Sequence, residues 1–100
     1  MRYKLIISDQ AERNIDNIVE YVAVKLGNPE AAKAIIDDIE KAYDLLEENA
    51  EGYSYCSDPY LSSKGYRKMP LRKHNYLILY TVERNEVHIA GVFHTKEDYV

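Results

Sequence analysis

One hundred residues with 46% hydrophobic and 30% charged side chains make up one domain, spanning 1–100, with room for a single core. No apolar run approaches the ~18 residues that cross a bilayer, and a lone cysteine, Cys56, excludes an internal disulfide and a cysteine metal site. A net charge of −4 argues against a protein that coats phosphate backbones generically.

The start, MRYKLIISDQ, is basic but holds an apolar run of only three residues, too short for the core of a secretory leader. The expected location is the cytoplasm, with no membrane partner. Within it, Tyr3, Leu5 and Ile7 alternate with Arg2, Lys4 and Ile6, which predicts a strand with one well-buried face. Ser8 and Asp9 offer caps for a helix, and Asp9 with Glu12 has capping-box spacing. Apolar residues at Ala11, Ile15, Ile18, Val19, Val22 and Leu26 draw one stripe along that helix, and Gly27 ends it.

Asn28-Pro29 starts a second helix at once, asparagine as cap and proline at the first helical position. Its stripe is Ala32, Ile35, Ile36, Ile39, Ala42, Tyr43 and Leu46. So short a turn predicts an antiparallel helical hairpin. Glu12, Asp16 and Glu20, then Asp37, Asp38, Glu40, Asp44, Glu47 and Glu48, read as its solvated outer surface.

Residues 49–63 are expected to form a polar, tyrosine-rich loop. Three strands follow: Gly65–Leu71, kept to an edge by Pro70, then Tyr76–Glu83 and Glu86–His94, joined by a two-residue turn at Arg84-Asn85. The middle strand is apolar on both faces and should be central. The fold class is therefore α+β: an N-terminal strand, a helical hairpin and a three-stranded antiparallel meander in one sheet, β-α-α-β-β-β.

Charge is not spread evenly. Residues 1–59 carry 6 Lys+Arg against 13 Asp+Glu and residues 77–100 carry 2 against 4, whereas residues 60–76 carry 5 against none. That segment holds Lys64, Arg67, Lys68, Arg72 and Lys73, with His74 beside them. On a strand Arg67 shares a face with Met69 and Leu71, so its charge must be paired or line a groove. Lys68 lies opposite. The lysines read either as edge-strand charges that deter sheet-to-sheet pairing or as contacts to an anion. His94 at the end of the last strand and Tyr99 beyond it are both able to move a proton. No glycine-rich phosphate loop, His/Cys cluster or nucleophile elbow is present, so neither cofactor nor metal is expected.

Taken together these features resemble the RelE/ParE superfamily of bacterial type II toxins, over essentially the whole chain. The likeness is carried by RYKLIIS leading into Ser8 and Ala11, by IDNIVEYV (Ile15–Val22) and by NPEAA (Asn28–Ala32). It continues in GYRKMPL (Gly65–Leu71), YLILYTV (Tyr76–Val82), VHIAGVFH (Val87–His94) and EDY (Glu97–Tyr99).

The resemblance implies a growth-inhibiting toxin restrained by a cognate antitoxin. One branch cuts mRNA in the ribosome without metal, by attack of the substrate's own 2′-hydroxyl on the adjacent phosphate. The other poisons DNA gyrase, and a third outcome is a degenerate member that only binds antitoxin. The first is the leading expectation, with Arg67, His94 and Tyr99 in catalytic roles and Lys64, Lys68, Arg72 and Lys73 binding substrate. Two departures run against it. Leu77 follows Tyr76 where many ribosome-dependent members have arginine, and the tail HTKEDYV is poor in arginine.

Overall fold

The computed structural model describes residues 2–96. Strand β1 (Lys4–Ile7) leads into helix α1 (Asp9–Glu20), which Ser8 caps by accepting the Ala11 N–H on its hydroxyl at 3.0 Å. Helix α2 (Pro29–Asn49) opens on Asn28, whose side chain accepts the Ala31 N–H. Between the helices the chain makes one wide π turn, Tyr21–Lys25, in which the Leu26 N–H reaches back to the Tyr21 carbonyl at 3.0 Å. Gly27 follows in the left-handed region at φ 64°, the conformation its position after the helix requires.

The extra residue in that turn shifts the helical phase, and one expectation fails because of it. Leu26, the last member of the predicted α1 stripe, is 59% exposed, and Val24 is exposed beside it, whereas Val22 is buried. Ile7 departs too: at 36% exposure it sits outside the well-buried face expected of β1, and only Tyr3 and Leu5 pack against the core.

Strands β2 (Arg67–Pro70), β3 (Tyr76–Glu83) and β4 (Glu86–His94) form the antiparallel meander, and β3 is central as expected. The sheet order is β1-β4-β3-β2, with β1 parallel to β4, so the sheet as a whole is mixed. A bulge falls where Leu79 faces Gly91 but Tyr80 faces Ile89. It lets Val87, Ile89 and Val92 all face the helices despite the three-residue step, and Asn14 of α1 accepts the Val92 N–H there.

The main core lies between the helical hairpin and one sheet face, with Tyr80, Leu46, Ile78, Ile89, Val87 and Val92 as its largest fully buried side chains. The opposite sheet face holds a smaller cluster of Cys56, Leu61, Leu77 and Leu79, packed by Tyr66, Ala90 and Phe93. Cover for this face comes from residues 49–63, which are more ordered than the predicted loop. After a 3-10 turn at Ala50–Gly52, helix α3 (Pro59–Ser63) starts on Asp58, whose carboxylate accepts the Leu61 N–H. Residues 54–56 also pair with the outer edge of β2: Lys68 N–H donates to Ser54 and Cys56 N–H to Tyr66. The edge is thereby covered rather than merely charged.

Candidate functional site

The sheet has two ends of different chemistry. At one end lies the loop 71–75, which joins β2 to β3, beside the end of β4. Its organiser is Asp38, in the middle of α2. Asp38 was expected on the solvated helix surface, and it is instead 7% exposed. One carboxylate oxygen accepts the Lys73 N–H at 2.9 Å and the His74 Nδ1–H at 2.8 Å. An ionised carboxylate can only accept, so the hydrogen of that pair sits on Nδ1. Burial works against the charge, but the bonds from His74 and the Lys73 N–H outweigh it and hold the Asp38 carboxyl below the usual range. Ala34, Asp37, Asp38, Lys41, Lys73 and His74 line a cavity of about 240 Å³ there.

His94 lies at the same end, opposite Tyr76 in the β3–β4 register. Its ring meets that of Tyr76 edge-on, 5.4 Å between centroids, and its Nδ1 accepts the Lys96 N–H at 3.2 Å.

Arg67 stands at the other end, opposite Tyr80 and on the helix side of the sheet. The charge is not paired with a carboxylate among the described residues. Nη1 donates to the carbonyls of Tyr53 at 2.6 Å and Glu51 at 3.2 Å, and the guanidinium stacks on Tyr55 with 3.9 Å to the ring centroid. Arginine thus closes the turn after α2, satisfying the carbonyls of Glu51 in the 3-10 turn and of Tyr53 just beyond it.

The register sets how far apart these groups are. Tyr80 and Tyr76, which face Arg67 and His94, are four residues apart on β3, or about 13 Å. Arg67 and His94 are also two strands apart, with Ile78 and Met69 filling the sheet face between them. They cannot both reach one phosphate. Of the other expected site residues, Lys68 points to the opposite sheet face, opposite Leu79. Lys64 follows α3 with its ammonium 5.7 Å from the Tyr60 ring centroid. Arg72 and Lys73 are exposed on the 71–75 loop. Tyr99 lies outside the described residues. The structure therefore places Arg72, Lys73 and His94 at the same end of the sheet, and leaves Arg67, Lys64 and Lys68 away from them. Asp38 and His74 are the pair that sequence reasoning missed: their contact spans 36 positions, and no local spacing announces it.

Similarity to known proteins fits this framework. A family model described as "ParE toxin of type II toxin-antitoxin system, parDE" matches residues 5–99. The chain belongs to the ParE toxin family. Among solved structures, a chromosomal ParDE toxin–antitoxin system from P. aeruginosa is similar at a TM-score of 0.74 with 21% identity, covering 93% of this chain and 96% of that one. The RelBE2 toxin–antitoxin complex from Mycobacterium tuberculosis gives 0.62 with 18% identity, covering 94% and 99%. At those identities the likeness is one of fold. No curated protein matches the chain. Like its superfamily, this ParE-family toxin is α+β, and among its described residues no helix is long and apolar enough to cross a membrane.

Proposed function

We propose that this toxin arrests growth by binding DNA gyrase, and that a cognate antitoxin holds it inactive. The observation that carries the reading is the match to the ParE toxin family across residues 5–99. Superfamily resemblance links that branch to gyrase rather than to mRNA. The layout of charge supports it: five cations of residues 60–76 are distributed over both sheet faces and both sheet ends, and Arg67 is engaged in closing a turn. A phosphoryl-transfer site asks for fixed cations and a proton-transfer group within reach of one phosphate. The acidic outer surface of α1 and α2 suits an antitoxin segment rich in basic and apolar side chains.

A second reading, cleavage of mRNA on the ribosome, is favoured by one observation. Asp38 orients His74 at 2.8 Å beside Lys73, which is the arrangement of a general base with its orienting carboxylate and a nearby cation. In that reading His74 takes the proton from the attacking 2′-hydroxyl, in place of the more distant Arg67–His94 combination.

Induction without antitoxin, with plasmid supercoiling and transcript 5′ ends followed in the same culture, tests the choice. The gyrase reading expects cleaved DNA and a DNA-damage response with transcripts intact. New codon-linked RNA ends with normal supercoiling would transfer the assignment to the second reading. Unimpeded growth would make the chain a degenerate antitoxin-binding member.

A further inference from the structure

Near the Arg67 end of the sheet, Glu51, Tyr55, Gly65, Arg67, Val82 and Arg84 line an open cleft of about 290 Å³. Two arginines are among its lining residues. Arg67 uses Nη1 on the Tyr53 and Glu51 carbonyls, and its Nη2 and Nε have no acceptor among the described residues. Arg84 makes no ion pair among the described residues. The carboxylate in the cleft, Glu51, makes no ion pair with either arginine among the described residues, and its Oε1 accepts the Tyr3 hydroxyl at 2.8 Å. Two guanidiniums with no ion pair among the described residues therefore share a concave surface with Glu51, walled on one side by the half-exposed Tyr55 ring, while Glu83 and Glu86 border Arg84 on its other side.

Arg84 is also in an unexpected conformation. It is the first residue of the two-residue loop closed by the Glu83–Glu86 pair, and its φ is 58°. Glycine and asparagine favour that left-handed region, and arginine gains nothing local from it. Backbone strain of this kind collects at binding sites, where the side chain it presents repays the cost.

We propose that this cleft binds the phosphate of a nucleotide, either free or as one unit of a single strand, with Arg84 and the unused edge of Arg67 donating to the phosphate oxygens. Guanidinium forks match phosphate geometry, and two of them suit a phosphate better than a lone carboxylate. The cleft is about 290 Å³, large enough for more than the anion, and Tyr55 offers an aromatic wall for the attached base. This site is independent of the gyrase reading and stands or falls separately from it.

The test is titration of the full chain with AMP, ATP, a ten-nucleotide single strand and an Asp/Glu-rich peptide, followed by NMR of the arginine Nε–H signals. AMP or ATP should shift Arg67 and Arg84 signals. Binding should weaken at least tenfold in R84G and less in R84K, while R84G raises Tm by a few degrees because glycine relieves the left-handed strain. That rise shows the variant is folded, so loss of binding is not loss of structure. A strand that binds more tightly, with a log–log salt slope near −0.7 per phosphate engaged, identifies nucleic acid as the source, and equal binding of AMP identifies a free nucleotide. Undiminished binding by R84G, no binding of any phosphate probe, or R84-dependent binding of the acidic peptide alone would overturn the proposal.

Discussion

Tyr43 packs against the main core, with its hydroxyl buried and no hydrogen-bond partner among the described residues. Burial, with Glu12 nearby, pushes its pKa up to about 12. An unsatisfied buried hydroxyl costs about 1–3 kcal/mol, so Tyr43→Phe should raise unfolding stability by about 1 kcal/mol in urea denaturation. Tyr80 is the opposite case, since its buried hydroxyl donates to the Ala50 carbonyl at 2.7 Å. Asp38→Asn should cost about 1.5–3 kcal/mol at pH 7, because the charged acceptor of His74 and of the Lys73 N–H is lost. The sign with pH follows from the depressed carboxyl. Its contribution is complete above the unfolded value near 3.9 and disappears as pH falls through the lower folded value. The difference between wild type and Asp38→Asn should therefore narrow below about pH 3.9, which denaturation curves at several pH values will show. Nothing in the run Asp37-Asp38-Ile39-Glu40 marks Asp38 off from its acidic neighbours. Its partner is supplied by a loop 35 residues away, so burial of that one acid was not legible in the sequence.

Among the elements, caps and periodicity carried most of the fold. Ser8, Asn28-Pro29 and Gly27 stand where the helices start and stop, and Arg84-Asn85 is the hairpin turn. Helix α3 was legible in principle, because Asp58-Pro59 repeats the cap-and-proline signal of Asn28-Pro29, but the helix it opens is only five residues long. Two features had no local signal. The parallel pairing of β1 with β4 joins segments some 80 residues apart, and the wide turn at Tyr21–Lys25 breaks a stripe that reads as continuous. The turn gives a like-for-like prediction. Leu46 is fully buried and Leu26 is 59% exposed, although both belong to apolar stripes. Leu46→Ala should cost about 2–5 kcal/mol, whereas Leu26→Ala should stay within about 0.5 kcal/mol. Equal losses in thermal melts would mean that Leu26 is packed as the stripe implies.

At the scale of the whole molecule, the parity of Arg67 with Met69 and Leu71 was correctly legible, yet its use was not: closing the Glu51–Tyr53 turn depends on a segment whose course only the folded chain reveals. For the same reason the charge run 60–76 is one patch in sequence and several in space. Strand β2 sends Arg67 and Lys68 to opposite faces, and the loop places Arg72 and Lys73 about four residues further along the sheet. A protein so arranged presents separate small surfaces on an acidic body, which suits docking to proteins better than tracking along a phosphate backbone. The decisive measurement is the supercoiling of relaxed plasmid by purified gyrase, with ATP, over a titration of the antitoxin-free toxin. The account predicts loss of supercoiling and accumulation of linear DNA at stoichiometric toxin, reversed when antitoxin is added first. Normal supercoiling in a large excess of folded toxin would contradict it.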